Sequence, residues 1–175
     1  MRADQAPGWH WISISLAEEP LVSDMLVKLY DLPDLQAALS RVGLRRVSIR
    51  RALPPEKHIV SDWVQAHFGS AWGSECDVAF ARVPVSCFLA VRDGDILGFA
   101  CYEATCRNFF GPTGVHERGV GIGTALLLAC LHSMRAEGYA YAIVGGVGPA
   151  EFYSKAVGAV LIEGSTRGIY DGLLR

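Results

Sequence analysis

Alternating apolar residues give way repeatedly along this chain to apolar residues three and four apart, the signatures of strand and of helix. Residues 47–53 read as a strand, and Pro54, Pro55 and Glu56 open a helix that runs through Trp63 to about Phe68. Two β-rich runs, 87–91 and 96–102, flank Arg92-Asp93-Gly94-Asp95, a glycine-containing turn that makes them a hairpin. A third strand is expected at about Phe109–Val115. Leu127, Leu131 and Met134 then fall on one side of a helix predicted over 121–137, which Gly138 would end. Residues 139–144 read as a strand, Pro149 and Glu151 open a helix that closes at Gly158, and 160–162 and 168–170 read as terminal strands.

Two stretches stand apart. Residues 25–30 are extended in character, Asp31 is placed to cap a helix with Pro33 in its first turn, and Gly43 to end it, so residues 1–45 are taken as an N-terminal strand-helix extension to a main domain over 46–175. Residues 69–85, with Trp72, Glu75 and Asp77, lack a clean period and are expected to form a lid or a short helix beside a pocket. The order of elements implies an α/β layer whose sheet is partly antiparallel and partly parallel.

Composition narrows the function. A chain of 175 residues, 51% of them apolar, supports one full core and hence one main site. A net charge of -2 argues against a nucleic-acid surface. The amino terminus lacks the basic start and apolar run of a secretory signal, so the chain is expected to be mature as it stands. The apolar stretch 125–131 is too short for a membrane span. Five cysteines form no C-x-x-C pair, which points to a reducing cytoplasm with neither a disulfide framework nor a structural zinc.

The chemistry gathers where the third strand passes into the long helix. Gly114, Gly119, Gly121 and Gly123 would let the backbone turn sharply and approach a ligand, and the first helical turn offers unpaired N–H groups and a positive dipole end. Together these make an anion cradle, with Arg118 adding charge suited to phosphate. The alternative is tight packing of helix on sheet. A Walker loop needs a Gly-Lys-Ser/Thr ending, and no lysine precedes Thr124; the G-x-G-x-x-G dinucleotide pattern fails as well.

The segment resembles the coenzyme A loop of the GCN5-related N-acetyltransferase (GNAT) superfamily, Arg/Gln-x-x-Gly-x-Gly/Ala, with Arg118, Gly121 and Gly123 in its defined positions. The resemblance extends over 47–170, including the tyrosine-bearing helix 149–158; His116 and Val120 depart from the proline and lysine often found there. It implies a GNAT-like mixed sheet flanked by helices. It also implies acetyl-CoA as cofactor, with the backbone amides of Gly119, Val120, Gly121, Ile122, Gly123 and Thr124 on the pyrophosphate and Val115 pairing its backbone with the pantetheine arm. Tyr153 resembles the residue that protonates the departing thiolate, for which a phenol is chemically suited because its pKa lies above a thiol's.

An ammonium must lose a proton before it can attack, and Glu103, following the strand 96–102, is the candidate base, with Asp77, Glu75 and Glu117 as alternatives. Cys101 and Cys106 read as small apolar residues, the histidines lack metal-ligand spacing, and the tryptophans Trp9, Trp11, Trp63 and Trp72 read as packing. The function expected is transfer of acetyl to a primary amine of a small molecule in a ternary complex, without metal. The alternatives are an acyl-CoA-sensing module of the same fold and a peptide or protein acetyltransferase. A homodimer is expected, with neither nucleic acid nor membrane as partner.

Overall fold

The computed structural model describes residues 23–174, so Trp9, His10 and Trp11 lie outside the described residues. Seven strands form one sheet: β1 (Met25–Lys28), β2 (Ser48–Arg51), β3 (Cys87–Arg92), β4 (Asp95–Tyr102), β5 (Phe109–Val115), β6 (Tyr141–Val144) and β7 (Val160–Leu161). Their spatial order is β2-β3-β4-β5-β6-β1-β7. Every neighbouring pair is antiparallel except β5 and β6, which run parallel. Five helices cover the sheet: α1 (Leu35–Gly43), α2 (Lys57–Phe68), α3 (Ser70–Phe80), α4 (Ile122–Ala136) and α5 (Ala150–Val157).

Two apolar clusters sit on the two faces. α4, buried along almost its whole length, joins Val42 of α1 and Tyr153 and Val157 of α5 over one face. Val60 and Val64 of α2 and Cys76, Ala79 and Phe80 of α3 close the other, over Leu89 and Phe99. A helix apolar nearly all round, as α4 is, belongs inside a layer, and here it lies chiefly against β3, β4 and β5.

The β3–β4 hairpin turns on Asp93 and Gly94 with φ of 53° and 92°, the pair of left-handed residues that a two-residue turn demands. The residues that lacked a clean period are helix α3, begun after Gly69. The cap of α1 is Asp34, whose carboxylate accepts from the N–H groups of Gln36 and Ala37, both at 3.1 Å, and not Asp31, which lies in a tight turn ahead of Pro33. Gly138, at φ 100°, follows α4, and Gly158, at φ 64°, caps α5.

Two expectations are corrected. Residues 1–45 are not, from Met25 onward, an extension: β1 lies between β6 and β7 and pairs with both. Val27 is fully buried, so the main sheet cannot be completed without this segment. The terminal strand at 168–170 is instead a turn of tight helix. Left-handed Arg167 and Gly168, φ 68° and 50°, divert the chain, and Gly168 backs onto the Asp24 carboxylate. Among the described residues no helix is long and apolar enough to cross a membrane.

Gly114 has a packing reason for being glycine. A Cβ there would lie 2.4 Å from Cζ of Phe68, whose ring stacks on Trp72 at 5.3 Å between centroids. Gly114→Ala should therefore destabilise the chain by about 1 to 3 kcal/mol. In a double-mutant cycle measured by denaturant unfolding, Phe68→Ala should remove much of that cost, whereas simple additivity would show that the ring is not what fills the space.

Candidate functional site

The cradle begins where β5 ends. His116 donates its N–H to the Leu97 carbonyl at 2.8 Å, which ties the chain to β4 one last time before the loop. Gly119 and Gly121 then take φ of 80° and 89°, a region that side chains disfavour, and Gly121 leads directly into α4. No side chain caps this helix; its first internal bond runs from the Ala125 N–H to the Gly121 carbonyl at 3.0 Å. Among the described residues no group accepts from the N–H groups of Gly119 to Thr124. Peptide N–H groups without acceptors at the positive end of a 15-residue helix make a place for an anion.

Arg118 is exposed at the edge of this loop. A second cation, absent from the sequence reading, is Arg41 of α1, whose Cδ lies 3.5 Å from where a Gly121 Cβ would be. At Gly123 a Cβ would meet only ordinary contacts, Phe152 at 3.8 Å and Val115 at 3.9 Å, so its smallness serves approach rather than backbone shape.

The second feature is a gap in the sheet. β5 pairs with β4 from Phe110 through Val115, but with β6 only at Phe109 and Phe110, opposite Ile143 and Val144. Among the described residues, one edge of β5 has no strand beside it from Gly111 to Val115. Pro112, which has no N–H to give, sits in this half-paired stretch. The open edge leads from the cradle down to the last shared rung, a run of roughly 17 Å at the usual rise per residue.

At that rung stands Tyr153. Its ring meets Phe110 at 6.3 Å and Phe152 at 5.0 Å between centroids, both edge to face. It is 6% exposed, and burial pushes its phenol up to about 12. Its hydroxyl makes no hydrogen bond to any described residue, and burial holds it protonated.

Solved structures share this fold. The chain is similar over 83% of its length to the GCN5-related glucosamine N-acetyltransferase region of a fungal multi-domain GH3 β-N-acetylglucosaminidase, 18% identical with a TM-score of 0.67, covering 20% of that chain. It is similar over 81% to a GCN5-related N-acetyltransferase from Sphaerobacter thermophilus, 18% identical at 0.57, covering 48% of that chain. A Bacteroides thetaiotaomicron protein of unknown function is 12% identical at 0.54, with 83% of this chain and 59% of that one covered. This chain thus spans about a fifth of the first and about half of the second. No family model and no curated protein matches it. The fold is that of the GCN5-related N-acetyltransferases.

Within that fold the other sequence candidates separate. Glu103 is corrected: it is a structural carboxylate and not a free base. Its side chain is 1% exposed and takes hydrogen bonds from the Arg82 guanidinium, the Tyr139 hydroxyl and the Asn108 N–H. Its own N–H goes to the Phe109 carbonyl at 2.7 Å, so it locks the turn that feeds β5. Asp77 pairs with Lys57 at 3.3 Å and accepts from Ser61 at 2.7 Å, and Glu117 pairs with Arg92 at 3.0 Å. Glu75 accepts from the Thr105 hydroxyl and, among the described residues, pairs with no cation.

Trp63 and Trp72 pack on Phe99, as expected of core aromatics. His67 stacks on Trp63 at 4.5 Å and meets His116 edge to face at 5.8 Å, which brings His116 to the rim of the gap. Cys76, Cys87 and Cys101 come from α3, β3 and β4, and their sulfurs lie within 4.8 Å of one another, a convergence invisible in their spacing. All three are fully buried, with no histidine or carboxylate joining them among the described residues, where a structural zinc takes four ligands. They sit in the apolar cluster under α2 and α3.

Removing the Glu103 carboxylate should act on stability first. Glu103→Ala strands a guanidinium, a phenol and a peptide N–H, a loss of about 2 to 4 kcal/mol by denaturant unfolding. A stable Glu103→Ala chain with the wild-type midpoint would overturn the structural assignment.

Proposed function

We propose that this chain is an N-acetyltransferase that moves acetyl from acetyl-CoA to a primary amine of a small molecule by direct attack in a ternary complex. The observation that carries this reading is the continuity of two features: acceptorless N–H groups at the start of α4 open directly onto the unpaired edge of β5. A diphosphate fits the first, with Arg118 and Arg41 beside it, and an extended amide-bearing arm fits the second, as an added strand would. The unpaired hydroxyl of Tyr153 then stands where such an arm ends.

Acetyl-CoA supplies an activated acyl group on a thiol leaving group. The chain's own residues bind, orient and move protons around it. The cradle fixes the anionic end, β5 holds the arm in one register, and Phe110 and Phe152 exclude water around Tyr153. The Tyr153 phenol, held protonated by burial, gives its proton to sulfur as the carbon–sulfur bond breaks. The similar fungal region is named for glucosamine, so an amino sugar is the first acceptor to test. Five free cysteines suit a reducing compartment.

The test is titration calorimetry with CoA, followed by thiol release from acetyl-CoA across amino sugars, polyamines, other small amines and peptides. Heat on binding and release with a small amine are expected; heat without release from any of them would make the chain a binding module, and no heat would remove the cofactor altogether. Tyr153→Phe should lower kcat by about 100-fold while leaving the binding heat unchanged. Because the phenol is raised to about 12, wild-type turnover should show no alkaline loss from this group up to about pH 10, the ordinary tyrosine value. A pH–rate profile that falls at pH 8 to 9 in wild type but not in Tyr153→Phe would contradict that protonation state.

A further inference from the structure

Phe109 and Phe110 are successive residues of β5, so their side chains leave the strand on opposite faces. Tyr153 meets the Phe110 side. On the Phe109 side stands a polar chain that the function above has not used. Glu75, half-buried on α3, accepts a hydrogen bond from the Thr105 hydroxyl, and Thr105 Oγ1 lies 3.2 Å from the Tyr170 hydroxyl. A threonine hydroxyl has one proton to give, and Thr105 gives it to Glu75. Tyr170 is therefore the donor of the second bond, and the chain runs Tyr170 to Thr105 to Glu75, with each dipole aligned toward the carboxylate. Burial raises the Tyr170 phenol; the Thr105 bond offsets part of this and the negative charge of Glu75 adds to it, so the net shift is upward.

This group stands at the parting of the strands. Gly145 is the first residue after β6. From the point where its Cβ would be, the Phe109 ring is 2.7 Å away and the Tyr170 ring 3.4 Å. Glu75 and Tyr153 thus flank one rung of the sheet from its two faces.

Glu75, like the more deeply buried Asp24, has no cation beside it among the described residues. Glu56, Asp77, Glu103 and Glu117 are held by Arg50, Lys57, Arg82 and Arg92 respectively. Among the described residues no cation comes within ion-pair distance of Glu75, although it is half-buried, and its Oε2 has no hydrogen-bond partner. A carboxylate drawn out of water without a counter-charge is unfavourable, and a ligand's ammonium would supply one.

We propose that Glu75 is the catalytic base of the transfer: it binds the acceptor's alkylammonium and takes its proton, with Thr105 and Tyr170 as positioning residues. This rests on reading the chain as an acetyltransferase. In the step, one N–H proton passes from the ammonium to the Glu75 carboxylate, and the freed lone pair forms the nitrogen–carbon bond to the acetyl carbonyl. The carbon–sulfur bond breaks, and the sulfur takes the electron pair and the Tyr153 proton. The new amide nitrogen sheds its second proton, which restores Tyr153, and Glu75 releases its own to solvent. The net change is ammonium and thioester to amide, thiol and one proton.

The experiment compares the best primary alkylamine of the acceptor panel with hydroxylamine, which is mostly unprotonated at neutral pH and needs no base to expose its lone pair. Glu75→Gln keeps an oxygen to accept from Thr105. It should leave CoA binding heat unchanged, lower kcat on the alkylamine by about 100-fold, and cost hydroxylamine less than about 10-fold. Glu75→Asp should recover part of the alkylamine rate, and Tyr170→Phe should lose less than Glu75→Gln. Wild-type turnover by Glu75→Gln, or equal losses on both nucleophiles, overturns the assignment while leaving the acetyltransferase reading intact. Absence of both binding heat and thiol release in the wild-type chain overturns that reading, and this assignment with it.

Discussion

A β-strand has two edges to satisfy, and β5 gives up one of them after Phe110. The rest of the site follows from that. A bare strand edge inside a sheet is a liability, since its N–H and C=O groups must find acceptors and donors elsewhere. This chain limits the exposure. Pro112 removes one donor, the gap is only a few residues long, and α4 runs beneath both strands so that they are splayed without being loosened. The wedge that keeps them apart is aromatic: Phe109 crosses to the bare backbone of Gly145 on one face, and Phe110 meets Tyr153 on the other.

The glycines divide into two kinds once this constraint is seen. Gly119 and Gly121 are glycine because the backbone turns through positive φ there. Gly114 and Gly145 are glycine because an aromatic ring occupies the space of a Cβ. The first kind shapes the cradle, and the second preserves the splay by letting Phe68 and Phe109 press directly against main chain. A single glycine-rich reading of this region merges two separate physical demands.

The local parts of this design were legible in the sequence. The bounds of β5, the glycine turn at Asp93-Gly94, the loop from Arg118 to Thr124 and the start of α5 all depend on residues close together in the chain. What stayed hidden depends on long-range partners. Glu103 and Glu75 are both carboxylates near strand β5, and only the location of Arg82 and Tyr139 decides that the first is spent on structure. The place of β1 between β6 and β7 is likewise set by pairing across more than a hundred residues, and the three-sulfur cluster by three elements meeting in the core. The strand expected at 168–170 failed for a related reason: left-handed Gly168 backs onto Asp24, far away in sequence.

The parted strands also leave Tyr153 and Glu75 on separate faces of the sheet. Two ionisable groups on the same face would couple, each shifting the other as its charge changed. Here the sheet stands between them. Tyr153 lies in the apolar layer with α4 and Phe110, where desolvation alone keeps its proton in place. Glu75 lies on the α3 side, where it accepts from the Thr105 hydroxyl, which stands 3.2 Å from that of Tyr170. One rung of backbone, flanked by successive phenylalanines, therefore separates the two groups.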